Sequence, residues 1–175
     1  WDEGWSVYFA TTALDDMARH TAGDIHPPLY YALLHFWTAL LGAAPPVLRL
    51  FSVLAGAAAV PLVYLAGRRL AGARAGLLAA FLLALSPFAV YYSQEVRMYG
   101  LVTTLGLAAF WLALKMEDST WSPLAWAGYV LAGAAALYTQ YYAAFLLLAL
   151  NVAIMARWLA RRRPFRAWLP WLGAQ

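Results

Sequence analysis

Four short polar clusters interrupt an otherwise apolar chain, and together they hold residue types suited to acid–base chemistry and anion binding. They are Asp2-Glu3, His26-Pro27-Pro28, the stretch from Ser93 through Glu95 and Arg97 to Tyr99, and the stretch from Tyr138 through Gln140 to Tyr142. Asp2-Glu3 stands where a span would surface, and partial desolvation at a membrane rim makes a carboxylate a better base. An ordinary polar loop is the bland alternative. His26 can hold a phosphate oxygen or a sugar hydroxyl. Its neighbours also have a structural use: the two prolines fix an extended lead-in and a first helical turn, and Tyr30 and Tyr31 can anchor a helix at the interface.

Glu95 and Arg97 lie between two apolar segments with little loop to dissolve into. An ionisable residue drawn toward the bilayer centre costs up to about 3 kcal/mol, so such a pair is a site candidate. The planar fork of Arg97 suits a phosphate, while a bridge to a carboxylate that finishes a helix explains it equally well. Arg49 offers a second cation at the same face, or simply snorkels. Tyr30, Tyr99, Gln140 and Tyr141 are candidates to line a substrate path, although an aromatic belt accounts for the Tyr138–Tyr142 cluster too. Asp15, Asp16, Arg19 and His20 read as the wet face of a surface helix, with Asp15 and Arg19 spaced as an i,i+4 pair. His20 and Asp24 are too loosely spaced from the other candidates to argue a metal site. No phosphate-cradling glycine loop, nucleophile elbow or HExxH metal motif is present.

The elements that must position these residues are membrane helices. Apolar residues form 65% of the 175-residue chain, charged residues only 11%, and mean hydropathy is +0.64. Those values describe an integral membrane protein. With no cysteine, disulfides and thiolate metal sites are excluded. The formal charge of +4 reflects arginines clustered beside spans, a matter of topology and not of nucleic acid. Spans are predicted at Leu50–Gly67, Ala75–Tyr92 with a kink at Ser86-Pro87, Tyr99–Leu114, Leu124–Tyr138 and Tyr142–Leu159. Leu29–Leu41 is too short to cross and is expected to be interfacial. Residues 1–44 then form an outer loop with juxtamembrane helices, and residues 45–175 a bundle of about five spans. Both ends read as cuts through a longer protein. The expected fold is all-α, a polytopic transmembrane helix bundle.

Charge orients the bundle. If Leu29–Leu41 does not cross, one side receives Arg68, Arg69, Arg74, Lys115, Arg157, Arg161, Arg162, Arg163 and Arg166, nine of twelve basic residues. That side is cytoplasmic by the positive-inside rule. The other receives Asp2, Glu3, Asp15, Asp16, Asp24 and Glu95, six of eight acids.

Taken in order, these pieces resemble the GT-C class of membrane glycosyltransferases, in the bacterial branch related to protein O-mannosyltransferases and the lipid A aminoarabinose transferase. The residues that carry the resemblance are Asp2-Glu3, His26 to Tyr31, Arg49-Leu50-Phe51-Ser52, Arg68-Arg69-Leu70 and Ser93 to Tyr99. It implies Asp2 as catalytic base with Glu3 as its support, and a lipid-phosphate site near Glu95 and Arg97. The implied reaction moves a sugar from a polyprenyl-phosphate donor to a lipid, glycan or protein hydroxyl, with inversion, at the outer face of a bacterial cytoplasmic membrane. The phosphate leaving group is already a stable anion, so no strong general acid is needed. No cofactor is required. A divalent cation, Mg²⁺ or Mn²⁺, is an option, with Asp2 and Glu95 as candidate ligands. The fragment alone is expected to be inactive.

A transporter or flippase for a lipid-linked or anionic substrate is the rival reading. It predicts ionisable residues near span midpoints and paired broken helices, and the sequence shows neither charged midpoints nor an internal repeat.

Overall fold

The computed structural model describes residues 2–118, 122–160 and 173; the side chains of Asp2, Glu117 and Asp118 lie outside the described set. Arg161, Arg162, Arg163 and Arg166, which the charge argument used, also lie outside it. The described residues form ten α-helices. The first three are short: α1 (Asp2–Thr11), α2 (Leu14–Ala22) and α3 (Leu29–Leu41). Next come α4 (Pro45–Ala57), α5 (Ala59–Ala71), α6 (Ala73–Leu85) and α7 (Pro87–Gln94). The longest close the chain: α8 (Tyr99–Asp118), α9 (Pro123–Thr139) and α10 (Ala143–Ala160). No strand occurs among the described residues, and the chain is an all-α bundle of apolar membrane helices.

Local chemistry explains where these helices start and stop. Pro28 is the N-cap of α3, and Gly42 ends it at φ +88°, a left-handed conformation that a Cβ disfavours. The resulting 13 residues are too few to cross a bilayer. Pro45 and Pro46 occupy the first turn of α4, where missing N–H groups cost nothing. Ser-Pro pairs open two further helices in the same way. Ser86 Oγ accepts from Ala89 N–H (3.3 Å) at α7, and Ser122 Oγ accepts from Ala125 N–H (3.3 Å) at α9.

Three segments are long and apolar enough to span a membrane: α4 and α5 together (Pro45–Ala71, 27 residues), Tyr99–Met116 and α10. The pair α6–α7 makes a fourth if counted as one broken span, bent by 56° at the expected Ser86-Pro87. The remaining predicted span corresponds to α9, whose 17 residues sit at the lower limit for crossing. The first span begins at Pro45, five residues before the sequence-predicted start at Leu50, because its proline-led first turn is helical.

Close backbone approach holds the spans together. A Cβ at Gly76 in α6 would lie 2.6 Å from the Tyr64 carbonyl oxygen and 2.7 Å from Arg68 N, so α5 and α6 meet only because this residue is glycine. Gly72, at φ +89°, makes the turn between them. At the opposite end a Cβ at Gly100 would lie 3.0 Å from the Ser52 carbonyl oxygen, which sets α8 directly against α4. Arg69 Nε–H donates to the Leu114 carbonyl (3.1 Å), tying the basic end of α5 to the far end of α8.

The three short helices cover the Gly100 end. Trp37 Nε1–H donates to the Val47 carbonyl (2.8 Å), fastening α3 to α4. His35 Nδ1 lies 2.9 Å from the Ala10 carbonyl and fastens α3 to α1. Beneath them Phe9, Met17, Tyr30, Tyr31, Leu34, Leu48, Val96 and Met98 form one buried core. On α2, Arg19 reaches Asp15 (3.9 Å) and Asp16 (3.8 Å) with all three side chains mostly in solvent, the expected wet face.

Candidate functional site

The link between α7 and α8 is four residues long and lies at the covered end of the bundle. Val96 and Met98 insert into the core below α1 and α3, which pins the loop from beneath. From above, Val96 N–H donates to Glu3 Oε1 at 3.0 Å. Glu3 Oε2 also lies 3.5 Å from Arg49 Nη2. That ion pair is half exposed and is worth at most about 1 kcal/mol. One carboxylate on α1 therefore reaches both the 95–98 loop and α4. Asp2, one residue earlier on the same helix, has its side chain outside the described residues.

Arg97 is only 8% exposed despite its charge. Its Nη2 lies 3.4 Å from His26 Nε2, and its guanidinium sits over the Tyr99 ring at 5.7 Å. His26 Nδ1 in turn lies 3.3 Å from Asp24 Oδ2. Residues at positions 26 and 97, far apart in sequence, thus meet at one spot. Beside them the Tyr30 hydroxyl and Ser52 Oγ share a hydrogen bond of 3.0 Å. Tyr30 is fully buried, and burial pushes its hydroxyl well above the usual tyrosine range, against the opposing pull of the Ser52 hydrogen bond. Expected to anchor an interface or line a substrate path, Tyr30 and Tyr31 are instead core residues, 0% and 1% exposed. Their rings fill the space between α3, α1 and α4, where Phe9 meets Tyr31 and Phe51 meets Tyr30 at tilted angles.

Glu95 lies beside Tyr91 of α7 at the start of this loop. Gln140 and Tyr141 form the turn between α9 and α10, and no hydrogen bond, ion pair or ring contact joins them to the cluster among the described residues. No group of three His, Asp or Glu side chains gathers at metal-binding spacing among the described residues. A cation shared by Asp2 and Glu95 would depend on the Asp2 carboxylate, which is not described.

Two partners escaped the sequence reading. Asp24 was set aside as loosely spaced, although an Asp-x-His step in a proline-stiffened segment was the available signal. Ser52 was named only as part of the Arg49–Ser52 motif, since the packing of α3 on α4 is what brings it to Tyr30.

Below the cluster, between α4, α5, the α6–α7 bend and α8, runs a cavity of about 640 Å³. Val53, Val60, Leu83, Phe88, Val90 and Val102 give it an apolar wall. Tyr99 lines it as well, so the ring under Arg97 is also part of the cavity wall.

No curated protein and no solved structure matches the chain. One family model does, that of the dolichyl-phosphate-mannose-protein mannosyltransferases, over residues 25–175. The matched stretch includes His26, Arg49, Glu95 and Arg97, and begins after Asp2, Glu3 and Asp24. It agrees with the resemblance drawn from the polar clusters. With apolar helices able to span a bilayer and a match over most of its length, the chain belongs to the dolichyl-phosphate-mannose-protein mannosyltransferase family and is a membrane glycosyltransferase.

Proposed function

We propose that the protein transfers a sugar from a polyprenyl-phosphate donor to an acceptor hydroxyl at the outer face of a bacterial cytoplasmic membrane, with inversion. The observation that carries this reading is the stacking order of Arg97, Tyr99 and the cavity. The Arg97 guanidinium lies over the Tyr99 ring, and Tyr99 is one of the residues that line the largely apolar cavity. A lipid phosphate has that same division, an anionic head on a hydrocarbon tail.

The chemistry follows from this placement. Asp2 accepts the proton of the acceptor hydroxyl as its oxygen attacks the anomeric carbon. The bond from that carbon to the phosphate oxygen breaks, and both electrons leave with the polyprenyl phosphate. Arg97 stabilises the charge gathering on that leaving group, and Arg49 adds a second cation nearby. Glu3 holds α1 against the 95–98 loop. The acceptor is a lipid, glycan or protein hydroxyl. The outer-face assignment is supported by Arg68, Arg69, Arg74, Lys115 and Arg157, which lie near the helix ends away from Arg97.

The test is an in vitro transfer assay on the intact membrane protein against a panel of polyprenyl-phosphate sugars. Asp2→Asn should lower transfer by about 10²- to 10⁴-fold with membrane insertion unchanged. Near-normal transfer would remove Asp2 as the base. The anomeric configuration of the product decides inversion. Because the chain has no cysteine, single cysteines at the exposed positions Ile25 and Leu70 report sidedness cleanly, and labelling of both from one side would break the topology.

A further inference from the structure

We infer that Asp24 and His26 are positioning residues that aim the Arg97 guanidinium, with the His26 ring donating from Nδ1 to Asp24 and accepting at Nε2 from Arg97. The inference rests on the reading of Arg97 as the phosphate-binding cation. It departs from the expectation that His26 itself contacts the phosphate or a sugar hydroxyl.

A guanidinium only donates, so the 3.4 Å contact from Arg97 Nη2 requires His26 Nε2 to carry a lone pair. The single ring proton must then sit on Nδ1, which faces Asp24 Oδ2 at 3.3 Å. A doubly protonated ring would point an N–H at an N–H. Asp24 is itself fixed, because its Oδ1 accepts from Ile25 N–H at 2.7 Å. The backbone beyond is stiff: Pro27 is fully buried and Pro28 caps α3. Carboxylate, imidazole and guanidinium thus form a directed chain, anchored by the fold at Asp24 and reaching the Arg97 guanidinium. His26 keeps only 20% of its side chain exposed, and both ring nitrogens are engaged, so neither points at a substrate.

An orienting carboxylate behind a histidine is a device that fixes a tautomer. Here the tautomer fixes the direction in which an arginine presents its remaining N–H groups. Removing either link leaves the charge on Arg97 but loosens its aim.

The experiment uses the intact protein in membranes, with dolichyl-phosphate mannose as the donor probe. Asp24→Ala and His26→Ala should each raise donor KM about tenfold, the loss of roughly one hydrogen bond to a charged group, while acceptor KM stays put. The double variant should be no worse than His26→Ala alone, because both remove one chain. His26→Gln, whose amide oxygen can accept from Arg97, should recover most of the lost affinity. Nitrogen-15 spectra of labelled histidine should show the His26 ring as the Nδ1–H tautomer, and Asp24→Ala should weaken that preference. Additive effects of the two alanines, or an Nε2–H or charged ring in the unaltered protein, would overturn the proposal. Unchanged donor KM in Arg97→Ala would instead remove the phosphate-clamp reading, and the nitrogen signature would still decide the tautomer.

Discussion

Under α1–α3 the core is built from large side chains, with Phe9, Met17, Tyr30, Tyr31, Leu34 and Met98 all nearly or fully buried. Between α8, α9 and α10 the buried set centres on Ala109, Ala113 and Ala132, with Tyr129, Leu150, Ile154 and Trp158 filling around them. The difference follows from the surroundings of each region. Beyond the spans water is the alternative environment, so burying a bulky apolar side chain is itself a driving force. Inside a bilayer the lipid tails are as apolar as leucine, and helices gain mainly by approaching closely. The polar site lies on the first kind of core. Its loop, residues 95–98, is held by the insertion of Val96 and Met98 among those large side chains.

This contrast can be broken by changing side-chain size in opposite directions. Leu34→Ala, in a side chain that is fully buried, should cost about 2 to 5 kcal/mol. Hydrogen exchange should show the loss in α1, α3 and the 95–98 loop, and a silent result would mean that water-driven packing does not hold this cap. Ala109→Leu, at the fully buried alanine of α8, should cost about 1 to 3 kcal/mol by pushing its neighbours apart. Its signature is lower thermal stability in detergent with the cap still protected. Tolerance of leucine there would show that the bundle is not backbone-close. The smallest effect belongs to the half-exposed Glu3–Arg49 pair. Arg49→Ala should change stability by less than about 1 kcal/mol, and less still in high salt. A larger, salt-independent loss would show that this pair holds α1 to α4, a task the large core side chains were thought to perform.

Much of the scaffold was legible because backbone chemistry announces itself locally. Pro28 and Gly42 bound α3 at 13 residues, the same limits that the sequence shows. Ser86-Pro87 gave the bend, since proline removes a helical donor and clashes with the turn before it. The site was legible only as a set of candidates. His26 and Arg97 were both named, but their contact was not, and Asp24 was discarded. Tyr30 misled because a tyrosine after a double proline is equally good at an interface or in a core. Its hydroxyl decides the matter by meeting Ser52, a residue on another helix.

Composition alone determined that this chain dwells in a membrane, because 65% apolar residues cannot be covered by 11% charged ones in water. Spacing of apolar runs, prolines and arginines determined where helices run and which ends carry the cations, since those rules act within a few residues. Tertiary structure alone decided which polar groups face one another. Glycines at positions 56 and 100 let α4 approach α7 and α8 at backbone distance, and α3 lies over the junction. That close approach places the 95–98 loop where Glu3 and His26 reach it. Hydrogen bonds reach only about 3 Å, so no pattern along the chain could reveal which partners would come within that reach.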